Sequence, residues 1–194
     1  MRKVERPERM DTMESLTQAR PRKTGVPRGR EEIRFTYRPS SLGLILIAVS
    51  NLGVRAVMLG DDHETLRQDL AKRYPEAKLV NGDARLATRV VEAVEHPERP
   101  ADVPIDMDGT AFQKQVWQAL RQVPAGQTVS YGELARRIGH PAAVRAVAHA
   151  CATNPLAVLV PCHRAVRSNG ALAGYRWGLA RKKALLDREL RVKS

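Results

Sequence analysis

Residues 132–153 read GELARRIGHPAAVRAVAHACAT, a short segment with helical spacing, a glycine, a His-Pro pair and a second helical segment. The first helix is expected over Gly132–Ile138 and stops at Gly139. The second runs from Ala142 to Thr153. Helix, glycine-containing turn and helix in that order is the helix-turn-helix pattern. Its second helix has an unusual face, because Ala142-Ala143-Val144-Arg145-Ala146-Val147-Ala148 offers few side chains able to read base edges across a major groove. Small residues around a single Arg145 instead suit close approach to a narrow groove and a wedge driven into the base stack. The plainer reading of Arg145 is a surface cation resting on a phosphate.

Towards the C-terminus lies Leu159-Val160-Pro161-Cys162-His163-Arg164, an apolar run that ends abruptly in a thiol, an imidazole and a guanidinium. A thiolate is a strong nucleophile, and neighbouring cationic or proton-accepting groups lower the pKa of its thiol; His163 and Arg164 are placed for that by sequence. A free cysteine after an apolar run is more commonly a small core residue. That reading is adopted for Cys151, inside a run of small residues. It is not adopted for Cys162, because the chain turns polar where a core strand would stay apolar.

Cysteine usage and charge narrow the class. Two cysteines make no disulfide framework, no CxxC or HxxxH spacing suggests a metal site, and the expected metal and cofactor complement is none. No apolar stretch approaches a membrane span, and the N-terminus lacks the apolar segment of a secretion signal, so a cytoplasmic, membrane-free protein is expected. Lys plus Arg against Asp plus Glu stands at 11 to 6 over residues 1–38, 8 to 12 over 39–108 and 14 to 3 over 109–194. The basic excess belongs to the half that carries Cys162, which points to nucleic acid first and an anionic membrane second.

Three segments are expected: a disordered basic tail over 1–30, a scaffolding lobe over 31–104 and a DNA-binding, reactive lobe over 105–194. The scaffolding lobe should hold strands Glu31–Arg38, Leu42–Ser50 and Val54–Leu59 in an antiparallel sheet. Helices follow, from the Asp61-Asp62 cap to Arg73 and from Ala84 to Glu95. Residues Pro97–Pro104 connect the lobes. Thr110 should cap a helix carrying Phe112, Val116, Trp117 and Leu120, with Trp117 assigned to the core. A last helix from about Gly178 should pack Leu185, Leu186 and Leu190 inward and leave Arg181-Lys182-Lys183 partly solvated. The fold class is α/β (α+β), a small sheet-bearing lobe beside a mainly helical one.

The motifs SYGELA, AVRAVAHACATNP and VPCHRAVRSNGALAGYRWG, in this order, resemble the O6-alkylguanine-DNA alkyltransferases, and most closely the alkyltransferase half of bacterial Ada proteins, over roughly residues 32–190. The family's PCHRV reads PCHRA here, with Ala165 in the last place, a change expected to alter pocket width. The resemblance implies single-turnover transfer of an alkyl group from O6 of guanine, extending to O4 of thymine, onto Cys162. The partner implied is double-stranded DNA bound by a monomer through the minor groove. By the same resemblance Arg145 replaces the extruded nucleotide, Ala142 and Ala143 lie against the groove, and Tyr131 helps rotate the nucleotide and bonds the guanine. Asn154 ties the reactive turn together, and Glu189 holds His163, with Asp187 the competing partner on the same helix. The loop 167–176, with Tyr175 and an Ada-like Arg176, forms a wall of the guanine pocket. The Cys ligands of Ada's zinc-binding domain are absent from this chain, so that domain's activity is not carried over. Two other classes stay in view: a non-catalytic helix-turn-helix binder or regulator, against which the intact PCHR speaks, and a Cys-His-Glu hydrolase, for which adjacent Cys and His are poor geometry.

Overall fold

The computed structural model describes residues 31–82 and 86–191; the tail expected over 1–30 and the expected helix start at Ala84 lie outside the described residues. Strands β1 (Glu32–Ser40), β2 (Gly43–Val49) and β3 (Val54–Gly60) form an antiparallel meander in which β2, almost entirely apolar, is flanked on both sides. A fourth strand, β4 (Lys78–Asn81), adds to β1 in parallel, giving the order β3-β2-β1-β4. The sheet is therefore mixed rather than purely antiparallel. Four residues carrying two charge-neutral apolar side chains give too little alternation to mark β4 as a strand.

Helix α1 (His63–Arg73) begins at Asp62, whose side chain accepts from the Thr65 N–H, and covers one face of the sheet with Leu66 and Leu70. Helix α2 (Ala87–Glu95) lies on the other face. Helix α3 (Ala111–Arg121) opens with a reciprocal capping box between Thr110 and Gln113. Trp117 is fully buried, and its indole N–H donates to the Ala150 carbonyl at 2.9 Å, locking α3 to the segment before Cys151. Gly109 is required beside it, since a Cβ there would stand 2.6 Å from the indole ring.

Helices α4 (Tyr131–Arg137) and α5 (Val144–Ala152) pack together across residues 138–143, where Gly139 turns the chain at φ +76°. Helix α5 starts two residues later than expected, because Ala142 and Ala143 belong to the turn. The helix α6 (Leu179–Arg191) closes the chain. Two-residue strands β5 (Val129–Ser130) and β6 (Ala165–Val166) pair in parallel, bringing the segment before Tyr131 beside the one after Cys162.

The inner face of the sheet and the C-terminal helices share one core, in which Ile45, Ile47 and Val57 meet Trp117, Leu120 and Leu156. Backbone bonds reinforce the junction. Val57 donates to the Pro155 carbonyl at 2.9 Å and accepts from the Ala157 N–H at 3.0 Å, while Arg73 donates to the carbonyls of Asp108 and Thr153. The edge of β3 thus seats residues 155–157, the approach to the reactive turn.

Candidate active site

Cys162 stands at the start of a single 3-10 turn, Cys162–Arg164, and is buried with 4% of its surface exposed. The chain reaches it through a tight path. Val158 has φ +66°, a left-handed conformation that a β-branched residue adopts only under strain, and the Leu159 N–H closes a three-residue turn onto the Ala157 carbonyl at 2.7 Å. Asn154 holds this path from inside. Its amide donates to the carbonyls of Leu156 (3.3 Å) and Val160 (2.9 Å) and to the Cys162 sulfur at 3.1 Å, while its oxygen accepts from the Leu156 N–H.

Burial pushes the Cys162 thiol up to about 11, against which the Asn154 hydrogen bond and the charge of Lys182 act to favour the thiolate. The expectation that Arg164 would perform this service is corrected. Its guanidinium turns away to Glu189, with further bonds to the carbonyls of Val123 (2.5 Å) and Pro97 (3.1 Å). His163 likewise faces Glu189, through Nε2.

The cation that does act on the sulfur is Lys182, which sequence reading left partly in solvent. It is fully buried, and its ammonium donates to the carbonyls of Ala165 (2.5 Å) and Ala173 (3.4 Å). Lys182, Leu185 and Glu189 lie three and seven residues apart on one face of α6, and all three are buried, although only Leu185 marks that face as inward in the sequence. Leu190, expected to pack inward, is instead 55% exposed.

His163 and Glu189 are both buried, with Nε2 of the imidazole 2.8 Å from Oε1 of the carboxylate. Burial pushes the Glu189 carboxyl up, but hydrogen bonds from His163, Arg164 and the Gly126 N–H bring it below the ordinary carboxylate value. Burial also holds the His163 pKa below normal despite the carboxylate, so the ring is neutral at neutral pH. A carboxylate can only accept, which assigns the imidazole proton to Nε2 and leaves Nδ1 as a base. Nδ1 is buried and has no protein partner. Asp187, the competing candidate, pairs on the helix surface with Lys183.

Tyr131 opens α4 half-buried. Its hydroxyl is pushed up to about 12, first by burial and then by the charges that Cys151 and Cys162 would carry, so it remains a proton donor at neutral pH. Tyr175 packs edge-on to Trp177 with ring centroids 5.1 Å apart, and its hydroxyl is buried without a partner. Arg176 faces Asp69 of α1 at 3.7 Å, across a cleft of about 440 Å³ that Cys162 does not line. Ala165 is fully buried in β6. Its N–H donates to the Cys162 carbonyl and closes the thiol turn, whereas Arg176 lies on the α1 side of that cleft. On α5 and the turn before it, Ala142, Arg145, Ala146 and His149 are exposed and Ala143 is half-buried, a small-residue surface with one long cation. Cys151 lies beneath it, buried, with its thiol pushed up.

The family model for the DNA-binding domain of 6-O-methylguanine DNA methyltransferase matches residues 111–191. The inducible methylated-DNA–protein-cysteine methyltransferase of Bacillus subtilis is 44% identical over 134 residues, covering 68% of this chain and 75% of that one. The chain belongs to the O6-methylguanine-DNA methyltransferase family. Within that family, the bifunctional transcriptional activator/DNA repair enzyme Ada of Escherichia coli is 48% identical over 160 residues, 81% of this chain. The chain spans 45% of Ada's length. The crystal structure of Mycobacterium tuberculosis OGT in complex with DNA superposes with a TM-score of 0.66 at 33% identity, over 82% of this chain and 93% of that one. Among the described residues no helix is long and apolar enough to cross a membrane, and no cluster of side chains is arranged to hold a metal.

Proposed function

We propose that this protein repairs DNA by moving an alkyl group from O6 of guanine, and from O4 of thymine, to the sulfur of Cys162, once per molecule. The observation that carries the reading is the pair of opposed environments around adjacent residues. The Cys162 sulfur is held by Asn154 and feels the charge of the buried Lys182, while His163 is held by Glu189 with Nδ1 free to take a proton.

An alkyl carbon on O6 is out of reach in a stacked duplex, so the nucleotide must be extruded. In this reading residues 105–194 bind double-stranded DNA through α4 and α5 as a helix-turn-helix, with Ala142 and Ala143 against the minor groove. Arg145 fills the vacated stack, and residues 31–104 serve as the scaffold that seats the reactive turn. The thiol proton passes through a water to Nδ1 of His163, and Glu189 stabilises the imidazolium. The sulfur lone pair then forms the S–C bond as the C–O6 bond breaks, and the released electron pair stays on the guanine oxygen. Tyr131 donates a hydrogen bond there and passes its proton to the guanine anion, taking one back from solvent, so that the base leaves as neutral guanine. Tyr175 contributes to the wall of the guanine pocket. A thioether is a poor leaving group and Cys151 is buried, so nothing regenerates the thiol. A monomer acting in the cytoplasm, without cofactor, suffices for this chemistry.

Intact-mass spectrometry after mixing with duplex DNA carrying one O6-methylguanine tests the reading. A gain of one methylene equivalent on Cys162 is expected, and none with Cys162→Ser. No gain on folded wild-type protein would refute it.

A further inference from the structure

Between Asp108 and Asp187 the chain carries eleven Lys and Arg and a single acidic residue, Glu133. Glu133 lies in the first turn of α4, two residues after Tyr131, where Ser130 caps its N–H. Its carboxylate takes three hydrogen bonds from two guanidiniums: Arg136 Nη2 at 2.6 Å and Nε at 3.1 Å, and Arg137 Nε at 3.1 Å. Both arginines are solvent-exposed. Arg136 is drawn back along the helix until one of its terminal nitrogens lies 4.0 Å from the place a Cβ on Gly132 would occupy, beside Tyr131. Hydrogen bonds from Arg136 and then Arg137 hold the carboxyl below its ordinary value, so it is charged at all relevant pH.

Pairs at i+3 and i+4 ordinarily do no more than support a helix, by a few tenths of a kcal/mol each. Here one oxyanion gathers two guanidiniums, groups that bind phosphate as they bind carboxylate, in the same helical turn as the tyrosine assigned to handle the extruded nucleotide and in a stretch otherwise without negative charge. We propose that Arg136 and Arg137 are phosphate contacts of the DNA face and that Glu133 is an internal competitor that holds both until a phosphate displaces it. The inference rests on the DNA-binding reading above and adds to it two contacts and a brake. The brake weakens binding to undamaged duplex, because each arginine must leave a carboxylate before it gains a phosphate. It leaves the approach of the charged face intact, which favours movement along DNA over arrest on it.

The test is fluorescence anisotropy with a short unmodified duplex over a series of salt concentrations, using wild type, Glu133→Gln, Arg136→Gln/Arg137→Gln and Asp187→Asn. Asp187→Asn makes the same change of charge by opening an exposed i,i+4 pair on α6. Glu133→Gln should bind about threefold to fivefold tighter, the effect of two exposed pairs no longer competing, and Asp187→Asn less than twofold tighter. The double arginine variant should bind more weakly and lower the slope of log K against log salt by about 1.8, at about 0.9 per phosphate lost. The double variant reads the arginines even if Glu133→Gln destabilises α4. Glu133→Gln equal to wild type or to Asp187→Asn removes the brake, and an unchanged slope in the double variant removes the contacts. Wild type that fails to bind any duplex overturns the DNA reading itself, a result separable from both.

Discussion

Glu189→Gln is the perturbation with the largest consequence that the structure defines. The carboxylate is buried and accepts from four donors: His163 Nε2 and Arg164 Nη2 at 2.8 Å, Gly126 N at 2.9 Å and Arg164 Nε at 3.1 Å. A Gln keeps the shape but has one acceptor oxygen, places an NH2 against at least one donor, and leaves the guanidinium of Arg164 buried without its counter-charge. Breaking a buried pair by removing one partner costs about 3–5 kcal/mol, a large share of the 5–15 kcal/mol that holds a domain together. Asp187→Asn, two residues away on α6, opens an exposed pair with Lys183 and should cost about 0.5 kcal/mol or less. Urea unfolding at neutral pH, followed by tryptophan fluorescence, compares the two through their midpoints at a common m-value. Free energies for the two variants within 1 kcal/mol of each other would show that Glu189 does not carry the buried charge of the site, and the reasoning about His163 would fall with it.

Lys182→Met should raise the Cys162 pKa and slow thiol alkylation by iodoacetamide, seen as an upward shift of the pH–rate profile; an unmoved profile means Lys182 only ties Ala165 and Ala173. Burial depresses the His163 pKa, so the unfolded chain binds a proton that the folded one refuses, and stability should fall as pH drops below about 6.5, by up to about 1.4 kcal/mol per pH unit. The depressed Glu189 adds a second loss as pH falls through its folded pKa, and His163→Gln should flatten only the first, as pH-series urea titrations would record. Arg145→Ala should slow repair in duplex DNA strongly yet leave reaction with free O6-alkylguanine base near the wild-type rate, because only the duplex requires extrusion. Equal slowing on both would reassign Arg145 to folding or to the thiol.

What the sequence made legible follows from the range of the forces involved. Strands β1 to β3, the Asp62 and Thr110 caps and the breaks at Gly139 and Gly178 are set by local alternation, capping chemistry and backbone freedom, and all were readable. β4 and the β5–β6 pair were not, because two to four residues carry no periodicity and exist only through partners about 40 residues away. The delayed start of α5 has a similar cause. Ala142 and Ala143 are good helix formers, yet Ala143 donates to the His140 carbonyl and closes the turn instead.

Within the site, Cys162 and His163 stood out because each is chemically conspicuous where it sits, whereas Asn154 was reached through the resemblance. Glu189 was placed only through resemblance, and Lys182 was misplaced. A face that reads Lys, Leu, Glu at three and seven residues has one apolar position among three, so hydrophobic periodicity assigns it to solvent. The partners that make burial tolerable, the carbonyls of Ala165 and Ala173 for one and His163 with Arg164 for the other, lie 9 to 26 residues away in sequence. The arrangement has a chemical logic that appears only in three dimensions. Moving a proton from Cys162 to His163 creates an anion on sulfur and a cation on the imidazole. Helix α6 meets both, the anion with Lys182 and the cation with Glu189, two turns apart on one rigid element. In the proposed reaction the charges that separate before attack are therefore stabilised together, and a shift of α6 along its axis would weaken both at once.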